Sequence, residues 1–371
     1  MLVTALELRD FRTYAVAEAR LGPGLTVVHG ANGAGKSNLL EALYFGCTGR
    51  SPRTRNDREL IRFGAAATRV EVALLDEGEP HRISVGFGAG AEAATVKRMS
   101  CDGAPVERLL DNPLRPLVSV FMPERLELIK GAPAVRRAHL DQLLAALWPA
   151  RAAVRREYSR VLAQRNALLG RIRGGRSSDS ALAAWDNELA AKAIELRDHR
   201  AEAVALLAEP FAERAAQLGL SGGAELEYRP RTRAAGAEQL VAELQQRLRG
   251  DLDRGFTGHG PHRDELAVLR GGRELRIYGS QGEQRLALLA LLLAERSLLS
   301  SARSAMPLML LDDVMSELDE QRRELLAGEL AADGQSVIAT TDLAHVPGAL
   351  SASVTRLAVS PGAVLQEALA A

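Results

Sequence analysis

LTVVHGANGAGKSNLLEALY, residues 25–44, sets a short β-branched apolar run against a glycine-rich loop and then a helical run. Within it, Gly30 to Ser37 read G-x-x-x-x-G-K-S. A strand before that spacing and a helix after it are the context in which it makes a phosphate-binding loop. Glycines let the backbone turn tightly enough for successive N–H groups to face phosphate oxygens. The helix N-terminus adds its partial positive charge. Gly30, Ala31, Asn32, Gly33, Ala34, Gly35, Lys36 and Ser37 are therefore candidate nucleotide-binding residues. Lys36 is suited to bridge the β- and γ-phosphates, and Ser37 to hold Mg²⁺.

A second stretch completes such a site. In PLMLLDDVMSELD, residues 307–319, the apolar run Leu308 to Leu311 reads as a buried strand ending in two acids. Asp312 is a candidate Mg²⁺ ligand, and Asp313 a candidate base for the attacking water. Two solvated acids at a strand end would be a fair reading of that stretch alone; after a good phosphate loop it loses its weight.

YGSQGEQRLALLALLLAE, residues 278–295, opens polar and turns almost wholly apolar. Its S-x-G-x-Q, at a helix start and shortly before the Asp-Asp strand, resembles the signature motif of ABC-type ATPases. In that class the serine and glycine bind the γ-phosphate of ATP held by a second subunit. The resemblance implies that Ser280, Gln281 and Gly282 complete the site of a partner copy, in a symmetric homodimer with two ATPs at its interface. The other reading is a decorated helix cap, with Ser280 as N-cap.

The rest of the chain falls into three parts. The first third is rich in short β-branched runs (LVTALEL, LTVVH, RVEVALL, HRISVGF, VSVFM) bounded by Gly, Pro and charge. From Pro133 to about Gly250 helical spacing dominates, broken at GRIRGGRSSDS and by a short strand, AELEYRP. The strand pattern then returns; LAVLRGGRELRIY reads as a hairpin about Gly271-Gly272. The expected architecture is α/β: an ATPase head in residues 1–132 and 251–371, split by a mainly helical lobe in 133–250.

Composition narrows the class. Of 371 residues, 47 are Lys or Arg and 47 are Asp or Glu, so nucleic-acid binding would need a local patch. Lysine stands only at Lys36, Lys97, Lys130 and Lys192. Cys47 and Cys101 lie far apart, which excludes a disulfide framework and a CxxC zinc site. The N-terminus does not read as a signal peptide, and the apolar run Leu286 to Ala294 is too short to cross a bilayer. A cytoplasmic protein with no membrane partner is expected.

Five further stretches narrow the family. LRDFRTY, GRSPRTRNDRELIRFG, VFMPERLELIKGAPAVRRAHLD, GHGPHRDEL and LLDDVMSELD resemble segments of the bacterial recombinational-repair family RecF, from end to end of the chain. That resemblance implies an ABC-type head with a helical second lobe. It further implies ATP binding, ATP-dependent dimerisation on DNA and slow hydrolysis. Partners implied are RecR and RecO, with which the family loads RecA at single-strand–duplex junctions. Arg12 resembles a residue packed near the adenine in related heads. Asp313 stands where transporters usually carry Glu. Thr341 and Asp342 stand where a switch histidine is usual, and Glu124 lies where a glutamine loop is expected.

Other residues admit two readings. Arg53, Arg55 and Arg58, with Arg50, form either a DNA-phosphate-binding loop or a solvated charged loop. Arg136 and Arg137 are open to the same choice. His259, His262 and Asp264 suggest metal, but no second ligand pair is visible, which favours a structural or DNA-contact role. Cys47 reads as a small core residue. Two rival functions are a transporter ATPase subunit and a P-loop nuclease. The first lacks the GPHRDEL stretch; the second needs further acids, and after Asp342 only Glu367 remains.

Overall fold

The computed structural model describes residues 1–89, 95–109, 112–303 and 306–367. The N-terminal segment runs β1 (Leu2–Phe11), β2 (Tyr14–Arg20), β3 (Leu25–His29), α1 (Lys36–Thr48), β4 (Ala67–Asp76), β5 (Glu79–Ala89), β6 (Thr95–Cys101), β7 (Ala104–Pro105) and β8 (Val118–Phe121). The middle runs α2 (Glu127–Lys130), α3 (Pro133–Leu147), α4 (Ala153–Arg173), α5 (Leu182–Gln217), β9 (Ala224–Arg229), α6 (Ala237–Gln246), α7 (Leu248–Arg254), β10 (Glu265–Arg270), β11 (Arg273–Glu274), α8 (Leu275–Tyr278) and α9 (Gln281–Arg303). The chain closes with β12 (Leu308–Asp312), α10 (Glu320–Ala332), β13 (Ser336–Thr340), β14 (Thr355–Ser360) and β15 (Ala363–Gln366).

Two compact units result: Met1–Arg125 with Leu299–Ala371, and Leu126–Leu298. In the first, β2-β1-β4-β5-β6-β7 make an antiparallel sheet and β15-β14-β3-β13-β12-β8 a mainly parallel one. Helix α1 packs on β4 and β5 of the first sheet and on β12 and β13 of the second. That placement explains why it is buried nearly all round, from Leu39 to Thr48 except Tyr44. Gly46 is the closest approach: a Cβ there would lie 2.4 Å from a Val72 methyl. Gln335, buried, ties the unit together, accepting from Val3 N at 3.0 Å and donating to Val3 O and Gly22 O at 2.6 and 2.7 Å.

In the second unit, β11-β10-β9 form a small antiparallel sheet beside the helices. The six-residue register of β10 on β9 holds residues after 250 to this unit, so the division falls at 298 where composition had suggested 250. Gly271 and Gly272, at φ +54° and +72°, make the expected hairpin turn. Its second arm, β11, has only two residues before the chain coils into α8 and reaches Ser280.

The interior of this unit is unusually ionic. Arg165, fully buried, bonds Asp186 at 2.6 Å, Asp251 at 2.9 Å and Thr257 at 2.7 Å. Arg136 grips Glu265 through two nitrogens, at 2.7 and 2.8 Å. Such pairs hold position more than they stabilise, because breaking one strands a buried charge.

Candidate nucleotide site

The phosphate loop leaves β3 at Gly30 and enters α1 at Lys36. Its glycines are required sterically. A Cβ on Gly30 (φ +154°) would stand 2.2 Å from Val359 O, and one on Gly35 (φ +118°) 2.8 Å from the Tyr14 hydroxyl. Tyr14 donates to Gly35 O at 3.0 Å and so fixes the loop's last turn. No side chain caps α1, and no acid lies in its first turn. The helix start therefore offers N–H groups and partial positive charge to an outside anion.

Lys36 folds back over this loop. Its Nζ donates to Gly30 O at 2.8 Å and Ala31 O at 3.0 Å. Burial pulls its pKa below the usual lysine value, and the negative charges of Asp312 and Asp313 oppose that pull. An ammonium held by two carbonyls and short of water is poised to exchange them for phosphate oxygens.

Asp312 ends β12, which pairs in parallel with β13 and β8. Burial raises its carboxyl above the usual range, a hydrogen bond from Ser37 opposes this, and the charge of Asp313 adds to the rise. A half-buried carboxylate joined to a hydroxyl is a hard-oxygen donor pair that would suit Mg²⁺. Asp313 follows at φ +50°, anchored by its N–H on Ala339 O at 3.1 Å. Asp and Asn enter this left-handed region far more readily than longer side chains. The backbone thus gives a reason for Asp rather than a longer acid at this position.

Glu41 was invisible as a functional residue in the sequence, where it is one acid in LLEALY. It is wholly buried and gathers four donors: Arg12 at 2.9 and 2.8 Å, Arg53 at 3.1 Å and Ser51 at 2.6 Å. Arg12 also donates to Glu59 O at 2.8 Å. Arg53 turns inward, to Asn38 at 2.9 Å and Glu124 at 3.0 Å, whereas Arg55 and Arg58 are exposed. Lys97 secures the far end of this segment on Asp57 at 2.7 Å. Asp342 caps a short turn that runs from Leu343 to His345, accepting from Ala344 N at 2.9 Å. Cys47 is buried and its thiol is pushed up to about 12, which leaves it a core residue.

In the second unit Ser280, Gln281 and Gly282 are exposed at the start of α9. Ser280 accepts from Glu283 N at 3.3 Å, and Glu283 accepts from Ser280 N at 2.8 Å, a reciprocal capping box. The Ser280 N–H holds the Glu283 carboxyl below its usual value, with Arg270 assisting. Gln284 is buried and donates to Leu275 O and Gly279 O at 2.9 and 3.1 Å. A Cβ on Gly282 would meet nothing within 4 Å, so packing inside the chain does not demand glycine there.

The GHGPHRDEL stretch is built into the same unit. His259 pairs with Glu243 at 2.5 Å; His262 accepts from Tyr158 at 2.6 Å and donates to Thr257 O at 2.9 Å. Asp264, wholly buried, accepts from Tyr228 and from Arg231 N, the latter at 2.7 Å. Arg137 donates to Asp264 O at 2.8 Å. Among the described residues no three His, Cys, Asp or Glu side chains gather into a metal site. No helix among them is long and apolar enough to cross a membrane.

Comparison with known proteins agrees with the fold. The AAA domain family matches residues 5–102. The DNA replication and repair protein RecF of Streptomyces avermitilis is 40% identical over 98% of this chain and 99% of its own length. That of Heliobacterium modesticaldum is 38% identical over 93% of each. A solved structure of the recombination mediator protein RecF with ATP, in the RecFOR pathway, superposes with a TM-score of 0.85 at 26% identity, covering 99% of this chain and 97% of that one. An Smc head bound to the C-winged helix domain of ScpA shares the fold, at TM-score 0.59 and 17% identity over 100% of this chain and 98% of that one.

Proposed function

The chain belongs to the RecF family, and from that premise we propose a DNA-repair ATPase whose ATP-bound homodimer holds gapped DNA. The observation that carries the reading is the meeting of Lys36, Ser37 and Asp312 around an uncapped helix start. The loop from Gly30 to Gly35 cradles the phosphates, and Lys36 leaves its two carbonyls for the β- and γ-phosphate oxygens. Ser37 and Asp312 would hold Mg²⁺, which when bound would supply charge neutralisation at the phosphates. Asp313 orients and deprotonates the attacking water. Arg12, clamped on Glu41, flanks the adenine.

Ser280, Gln281 and Gly282 of a second copy close the site on the γ-phosphate. The open space at Gly282 supports this, since this chain's own packing does not call for glycine there. Arg55 and Arg58 meet DNA phosphates, while Arg53 is already held between Asn38, Glu41 and Glu124. Slow hydrolysis would release DNA after RecR and RecO have helped load RecA at the junction, in the cytoplasm.

Solution mass and ATP turnover, each with and without gapped DNA, test the proposal together. ATP-driven dimers and DNA-stimulated turnover are the expected result. Dimers whose turnover ignores DNA would point to an ABC-type energy subunit of another machine.

A further inference from the structure

Phe63 is 99% exposed, more than any other large apolar side chain among the described residues. It sits at the second position of a turn, Arg62 to Ala65, closed by Ala65 N donating to Arg62 O at 2.9 Å. Gly64, at φ +85°, supplies the left-handed residue such a turn needs. Nothing in the turn requires an aromatic ring. Proline or a small polar residue would serve at that place, and burial gains nothing there.

The turn is nevertheless firmly held. Arg62 N donates to Asp10 O at 2.8 Å, and the Arg62 guanidinium pairs with the Asp10 carboxylate at 2.7 Å. Ile61 bridges to Phe11, and Arg12 N donates to Leu60 O at 2.7 Å. Arg12 in turn grips Glu41 on α1. A ring displayed on a fixed backbone loses little entropy when it binds.

The surroundings select the occupant. A protein partner would want an apolar patch, but between Gly49 and Ala67 Phe63 is the one large apolar side chain that is exposed. Its own segment carries exposed Arg55 and Arg58, with exposed Glu59 beside them, while half-buried Arg62 is already paired with Asp10. One flat ring on an arginine-rich segment matches an unpaired nucleotide, whose base offers a π-face and whose flanks are phosphates.

Resting on the proposed DNA-binding function, we infer that Phe63 stacks on an unpaired base of the single-stranded part of the DNA, with Arg55 and Arg58 on its flanking phosphates. The site selects gaps and junctions because paired bases present no free face.

The test uses the full chain with ATP and a gapped duplex carrying 2-aminopurine in the gap, beside an intact duplex. Wild type should quench the probe on binding. Phe63→Ala should bind gapped DNA roughly 5- to 150-fold more weakly, the loss of one base–aromatic stack, and should not quench. Its affinity for intact duplex and its ATP-driven dimer mass should stay unchanged. Phe63→Trp should restore binding and quenching, and Phe63→Leu should not.

Equal binding of gapped DNA by wild type and Phe63→Ala overturns the stacking inference and leaves the DNA-binding reading intact. Full rescue by Phe63→Leu overturns it in favour of plain apolar contact. Loss of ATP-driven dimers in Phe63→Ala overturns it in favour of an interface between copies. Failure of wild type to bind either DNA overturns both this inference and the function on which it rests.

Discussion

The two helix starts on which the proposed chemistry depends are finished in opposite ways. At α1 no side chain caps the helix, no acid lies in the first turn, and a lysine waits on loop carbonyls. At α9 the reciprocal bonds of Ser280 and Glu283 cap the helix, and Glu283 places a carboxylate in its first turn. Both ends carry the same partial positive charge. The first is left for a phosphate; the second is already answered by its own chain. An open end can bind an anion unaided. A closed end engages one only when a partner molecule brings other contacts with it. That difference is what an ATP-dependent dimer requires: nucleotide first, partner second.

The comparison breaks most sharply at its open end. Lys36→Ala should abolish nucleotide-driven dimerisation, with ATP binding reduced roughly 10- to 100-fold for the loss of one charge-assisted contact. Light scattering and equilibrium ATP binding report this, and an ATP-driven dimer in that variant would sink the two-site scheme. Ser280→Arg should instead bind ATP normally and remain monomeric. A variant that dimerised would leave α9 with a helix cap and nothing more.

Asp313→Asn separates binding from chemistry. It should bind ATP and dimerise while turnover falls about 10²- to 10⁴-fold, the usual worth of a positioned base. Turnover at the wild-type rate would move the base elsewhere. Glu283→Gln tests whether the closed end is guarded by charge. Glutamine keeps the capping bond but removes the negative charge, so ATP-driven dimers should form at about 2- to 5-fold lower protein concentration. Weaker dimers would mean that the carboxylate helps the interface.

The smallest effect concerns the Tyr158–His262 pair of the second unit. His262 is held neutral, since burial lowers its pKa and its ring accepts from Tyr158. A histidine whose folded pKa is depressed contributes stability that is present above its ordinary value of 6.5 and lost as pH falls through the folded value. Melting of wild type should therefore weaken below about pH 6.5, by at most about 1.4 kcal/mol per pH unit from this group. His262→Gln should flatten that part of the profile; an unchanged slope would assign the acid sensitivity to other groups.

The phosphate loop, the Asp-Asp strand end and the serine-glycine helix start were legible because each is local. Their spacing along the chain is their chemistry, and a strand–loop–helix order suffices to aim N–H groups outward. Ser280 as N-cap was one of the two readings of its stretch; only its reciprocal partner Glu283, three residues on, went unnoticed. GHGPHRDEL was legible as a motif and opaque as to role. Its partners Tyr158, Glu243 and Tyr228 are named by no pattern in the sequence.

By itself the sequence determined the α/β architecture, the glycine-lysine-serine loop between a strand and a helix, and the Asp-Asp strand end, because close neighbours along the chain remain neighbours in space. Only the tertiary structure decided that Arg53 turns toward Asn38, Glu41 and Glu124, that Glu41 is the hub for two arginines, and that β10 belongs with β9. Those outcomes depend on which distant segment reaches a buried charge or an open strand edge first. Side-chain type sets what a residue can bond, and the fold sets what it meets.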